Sequence, residues 1–214
     1  MKELFDHYAK NDQDRTVAAA LASLILYVVI GIGKLVLGMY LLSTWYVINA
    51  VYYLILCIAR GQAIKKYKII RSIENRIKRY DLEFVVYKRS GIFICLLGIS
   101  YFFTCLRMYL IGDATVYGGY MVYLVATIAF TKMGFAIHGA VINRHRNNPI
   151  ISTLKIISFI DATVAIVVTQ YTLLIKQSSA HAMNSSALFG MGCSALFILI
   201  GIRMLNKKKK YPVL

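Results

Sequence analysis

The sequence predicts an all-α polytopic membrane protein of six transmembrane helices with both termini in the cytoplasm, and three observations carry that reading. The 214-residue chain is 59% hydrophobic and only 16% charged, too little charge to cover a soluble domain of this size. Its mean hydropathy is +0.63. The basic residues fall in blocks between apolar runs: of 25 lysines and arginines, ten lie in 60–89 and five in 203–210. Such blocks are held on the cytoplasmic side of a membrane. One stretch anchors the topology: WYVINAVYYLILCIAR, residues 45–60, stops against the strongly basic KKYKIIRSIENRIKR.

Taken in order, residues 1–15 form a cytoplasmic tail of mixed charge. The apolar stretch that follows is too long for the core of a signal peptide, so it stays as the first span, 16–42. It is long enough to tilt across a hydrocarbon core of about 30 Å. Gly31, Gly33 and Gly38 permit close helix contact, and Lys34 needs a protein or water environment. Ser43 and Thr44 leave almost no loop, so the second span, 45–63, returns as the other arm of a hairpin. Trp45 and Tyr46 are the interfacial aromatics at its outer end. Residues 64–90 are a basic cytoplasmic connection in which Ile69, Ile70, Ile73 and Ile77 recur near the helical period. Two readings are equal here: a basic helix lying along anionic lipid headgroups, or a solvated helical hairpin.

The third span, 91–111, carries Arg107 near its outer end, where it can snorkel. An outer loop with Asp113 leads to the fourth span, 120–142, which holds Lys132 near its middle and His138 near its inner end. NRHRNNP is a second basic turn, and Pro149 opens the next helix. The fifth span, 150–175, carries Lys155, Asp161 and Gln170. A polar outer loop, KQSSAHAMNS, leads to the sixth span, 186–205, where Ser186, Gly190 and Ser194 recur every four residues as a close-packing face. Residues 206–214 form a basic cytoplasmic tail. Six spans put twenty basic residues inside and leave the two longer outer connections only Lys176; one span more or fewer breaks that bias.

Composition excludes several classes. The basic blocks are placed for the positive-inside rule and for anionic lipid, so no nucleic-acid partner is expected. Cys57, Cys95, Cys105 and Cys193 lie in apolar segments with no CxxC pair and read as small buried side chains. No phosphate-binding glycine loop, HExxH or nucleophile elbow is present, and no serine has a convincing histidine partner. Neither an enzyme nor a cofactor is expected.

Ionisable groups in hydrocarbon cost several kcal/mol each and face a bundle interior or an aqueous route. At about 1.5 Å per residue, Lys132 lies roughly 18 Å in from the outer start of its span and Asp161 roughly 17 Å from the inner start of the next. Both depths are near the midplane, so an Asp161–Lys132 ion pair is expected. It reads equally as a structural pair or as a coupling centre that opens when substrate or a proton binds. Asn49 and Tyr53, four residues apart on the second span, share a face and line either a polar cavity or a helix contact.

The stretch DRTVAAALASLILYVVIGIGKLVLGMYLLSTWYVINAVYYLIL resembles the first two spans of the cation diffusion facilitator family of metal/proton antiporters, through its small and apolar first helix, Lys34, Gly38 and the serine at the short turn. PIISTLKIISFIDATVAIVV is similar to that family's fifth span. The resemblance covers most of the chain and implies the six-helix fold and a homodimer. In the family, side chains from spans two and five bind a divalent cation; the matching positions here are Asn49 and Tyr53, and Ile157 and Asp161. One carboxylate cannot supply a zinc shell of about four ligands, and the family's usual cytoplasmic domain has no counterpart, so no metal site is expected.

The expected function is transport of an ion or small solute, in the plasma membrane, with Asp161 and Lys132 at the coupling centre, Asn49 and Tyr53 along the route, and Lys34 nearby. The alternative is a non-transporting scaffold or partner subunit that uses the basic cytoplasmic surface.

Overall fold

The computed structural model describes residues 17–18, 20–29, 31–33, 35–36, 39–40, 44–73, 75–112, 120–142, 148–177 and 181–209. Among the described residues helix is the only regular structure, and there are six helices. The first, α1, is described at 17–18, 20–29, 31–33, 35–36 and 39–40. It is followed by α2 (Thr44–Arg71), α3 (Arg76–Ile111), α4 (Met121–Ile142), α5 (Pro149–Lys176) and α6 (Ala182–Asn206).

Local chemistry explains several helix ends. The Asn75 side chain accepts from the backbone N–H of Ile77 and Lys78, which starts α3. Gly112, at φ 78°, ends the same helix by donating its N–H to the Met108 carbonyl, a left-handed cap that glycine adopts without a Cβ clash. Asn148 caps α5 in the same way as Asn75 caps α3, and Pro149 stands at the first helical position, where its missing N–H costs nothing.

The basic stretch 64–90 is not a separate element. It is divided between the end of α2 and the start of α3, joined by a turn at Ser72 and Ile73, with residue 74 outside the described residues. The second and third helices are therefore longer at this end than the expected spans 45–63 and 91–111, and 64–90 forms a helical hairpin. No glycine or proline interrupts 62–90, so nothing in the backbone stops either helix before the turn. The isoleucine stripe divides accordingly: Ile70 is buried, while Ile69 and Ile77 are 51% and 61% exposed. The sixth helix likewise begins at Ala182, four residues before the expected 186.

The helices alternate in direction. Along the α3–α6 pair, Asp81 meets Lys209 at 2.6 Å, Gly91 faces Gly201, Gly98 faces Ser194 and Ile198, and Gly112 lies beside Met183. The two are antiparallel over their whole length, and small residues let the backbones approach. Ser186, Gly190 and Ser194 are buried, as a close-packing face requires. The antiparallel α4–α5 pair is held by Lys132 against Asp161 and by Lys176 over the Tyr123 ring, 3.8 Å from its centroid. Val17 and Ala20 pack with Ala63, Ile64, Ile150 and Ile151, so the start of α1, the end of α2 and the start of α5 meet at one end of the bundle. Lys209 joins the α2–α3 hairpin at that same basic end.

Among the described residues three helices are long and apolar enough to cross a membrane: Ile77–Ile111, Pro149–Lys176 and Ala182–Asn206. The 36 residues of α3 extend about 54 Å, well beyond a core of about 30 Å. The outside of the bundle is apolar, with Ile25, Val29, Phe103, Phe130, Phe135, Leu196 and Leu199 exposed. Among the described side chains of α4, Val122, Ala129 and Ala136 are buried at seven-residue intervals, while Tyr123, Leu124, Ile128, Phe130, Phe135 and Ile137 are exposed. So much exposed apolar surface is stable against lipid and not against water. The chain is a helical membrane protein.

Candidate functional site

Asp161 is the only acidic residue in α2, α4, α5 and α6, and no acid lies between 15 and 73. It is 7% exposed and faces the interior from the middle of α5. A bare carboxylate there is costly, and two donors answer it on one oxygen. The Tyr27 hydroxyl of α1 donates to Asp161 Oδ2, and Lys132 Nζ of α4 lies 3.2 Å from the same atom. Lys132 Nζ is also 3.5 Å from Tyr27 Oη, so the three groups close a triangle. The carboxylate lies inside the bundle, whereas the Lys132 side chain is 35% exposed; the pair is enclosed at one end and open at the other.

A second cation stands beside the first. Arg60 of α2, 2% exposed, has its guanidinium carbon 5.0 Å from the centroid of the Tyr27 ring, and Lys132 Nζ lies 5.4 Å from the same centroid. Arg60 Nη1 donates to Ser23 Oγ of α1, and Nη2 donates to Ser158 Oγ of α5 at 3.1 Å. Both serines donate their own protons to backbone carbonyls, Ser23 to Ala20 and Ser158 to Leu154, which leaves their oxygens as acceptors. Arg60 Nε is buried and has no hydrogen-bond partner among the described residues, and the same is true of the Tyr52 hydroxyl. α1, α2, α4 and α5 thus converge on one carboxylate, two cations, a tyrosine and two serines.

Tyr53 stands at the edge of this cluster. Its ring centroid is 6.0 Å from that of Tyr27 and 5.6 Å from that of Tyr52, which in turn lies 5.8 Å from that of Tyr101 of α3, tilted by 48°. Of the residues expected at the site, Asp161 and Lys132 are in contact and Tyr53 borders them. Lys34 and the Asn49 side chain lie outside the described residues. Ile157, the family-matched neighbour of Asp161, is fully buried in the apolar core instead of facing the charges. Among the described residues no three of histidine, cysteine, aspartate or glutamate come together as metal ligands would.

Sequence reasoning missed Tyr27, Ser23, Ser158 and Arg60. Tyr27 carried no separate signal in a chain with 16 tyrosines. Arg60 did carry one. It lies 16 residues past the start of α2, about 24 Å, short of a core of about 30 Å, although its neighbours in the sequence make it look like part of the basic block.

The geometry defines a helical membrane protein with a buried charged cluster near the middle of its bundle. No protein-family model, no curated protein and no solved structure matches the chain.

Proposed function

We propose that the chain moves an ion or small solute across the membrane, with the Asp161–Lys132 pair as the centre that couples cargo binding to helix movement. One observation carries this reading: the pair is closed on the Asp161 side by Tyr27 and open on the Lys132 side. A cargo charge or a proton arriving from the open side competes for one partner of the pair and weakens the hold of α4 on α5. Tyr53 and Asn49 of α2, with Lys34 of α1, are the proposed further lining of the route. Six spans with both termini cytoplasmic, and a homodimer in the plasma membrane, complete the proposal. The alternating helix directions, and the meeting of Val17, Ala20 and Lys209 at the basic end of the bundle, support the six-span part of it.

The test is flux in proteoliposomes over a panel of inorganic ions and small organic solutes, comparing native protein with Asp161→Asn and Lys132→Ala. Loss of flux in folded variants is expected. Native-like flux in both variants would reject the coupling role.

A second reading has its own observation. Lys65, Lys66, Lys68, Lys78 and Arg89 are exposed on the α2–α3 hairpin, beside exposed Ile69 and Ile77. Bases next to apolar side chains suit anionic lipid or an acidic partner protein, as a non-transporting scaffold would use.

A further inference from the structure

We infer that the cargo of this site is a small monovalent oxyanion of the carboxylate or nitrate type, bound at the Nε edge of Arg60. The inference rests on the transport reading for the word cargo and on the cluster itself for the binding.

Among the described residues the charges of the cluster do not balance. Arg60 and Lys132 stand beside a single carboxylate, Asp161, which pairs with Lys132, and both described hydrogen-bond partners of Arg60 are neutral serine oxygens. The two acids of α3 cannot make up the difference, because they lie in the first turns of that helix at the basic end, Asp81 against Lys209 at 2.6 Å and Glu83 against Arg79 at 3.1 Å. One positive charge is in excess in a place where water is scarce, and a buried charge without a counter-charge is the costliest kind of group to hold there.

The free donor defines the shape of what fits. A guanidinium offers five N–H donors in a planar fork, and Nε has no hydrogen-bond partner among the described residues. Planar oxyanions accept two parallel hydrogen bonds from such a fork, which a spherical ion cannot do. A single negative charge cancels the excess; a divalent anion overshoots it and carries a larger dehydration cost. An arriving anion also competes with Asp161 for Lys132, which ties binding to the contact between α4 and α5.

The experiment follows the thermal unfolding midpoint of the full chain in lipid nanodiscs. A sodium sulfate background is replaced by acetate, by nitrate or by chloride at constant ionic strength. Acetate and nitrate are expected to raise the midpoint saturably, chloride at least ten-fold more weakly. Asp161→Asn, which removes the competing carboxylate, is expected to lower the half-saturating concentration ten-fold or more. Arg60→Lys, which keeps the charge and loses the fork, is expected to raise it by a similar factor. A native protein with no saturable response, or one set of half-saturation values shared by native, D161N and R60K, would overturn the inference and show that the charge of Arg60 is met within the chain. Saturable binding without flux in proteoliposomes would reject transport and leave the anion site standing; cation flux with no anion response would do the reverse.

Discussion

Tyr27 and Asp161 are joined by a hydrogen bond across 134 residues of sequence, and that bond places a carboxylate on the inner side of a cluster that also holds two cations. Asp161 is the member on which the others depend, because it accepts from both Tyr27 and Lys132 through one oxygen. Removing it leaves two cations beside one tyrosine ring with no carboxylate between them among the described residues. Asp161→Ala is therefore expected to cost about 3–5 kcal/mol of stability. Tyr27→Phe removes one charge-assisted hydrogen bond to the carboxylate and is expected to cost about 2 kcal/mol. Lys132→Ala, with its side chain a third exposed, should fall between them, and the double variant with Asp161→Ala should cost less than the sum. Reversible unfolding in mixed micelles measures all four; an additive double variant would mean that the pair does not interact.

The α3–α6 seam makes a sharper prediction. A Cβ on Gly98 would lie 2.7 Å from Ile198 Cγ1 and 3.0 Å from the Ser194 carbonyl oxygen, and one on Gly201 would lie 2.8 Å from the Gly91 carbonyl oxygen. Backbone atoms cannot step aside as a flexible side chain does. Gly98→Ala and Gly201→Ala are each expected to destabilise by about 1–3 kcal/mol. On α6, a Cβ on Gly192 meets nothing within 4 Å, so Gly192→Ala should be neutral or stabilising by up to about 1 kcal/mol. Equal effects at Gly98 and Gly192 would contradict the packing.

Topology can be read by labelling. With the native cysteines replaced, single cysteines at Lys68 and Lys208 are expected to react with an impermeant maleimide from the same side of the membrane, and one at His181 from the other. The α2–α3 hairpin and the end of α6 share the basic end of the bundle, whereas His181, just before α6, lies at the opposite end. Reaction of 68 and 208 from opposite sides would reject six spans.

Much of the helical layout was legible because apolar runs and their basic stops are one-dimensional features. Asn148 and Pro149 mark a helix start in plain sequence, and the Ser186, Gly190, Ser194 spacing marks a contact face without naming its partner. Residues 64–90 were harder. Their period fits a membrane-surface helix and the extension of two spans equally, and only the absence of glycine and proline from 62–90 favours extension. The Asp161–Lys132 contact is reachable by counting residues from the ends of two neighbouring spans. Tyr27 and Arg60 are not reachable that way, because which face of α1 and α2 turns toward α5 depends on tertiary packing. Sequence reasoning follows depth well and rotation poorly.

The glycine seam also bears on the order of assembly during synthesis. α3 emerges third of the six helices and α6 last, so the small-residue face of α3 has no permanent cover while α4 and α5 are being made. The newborn chain must hold that surface against lipid, or against the insertion machinery, until Gly201 and Ser194 arrive. A ribosome that stalls before α6 would thus release a chain in which the small-residue face of α3 lacks the helix it packs against.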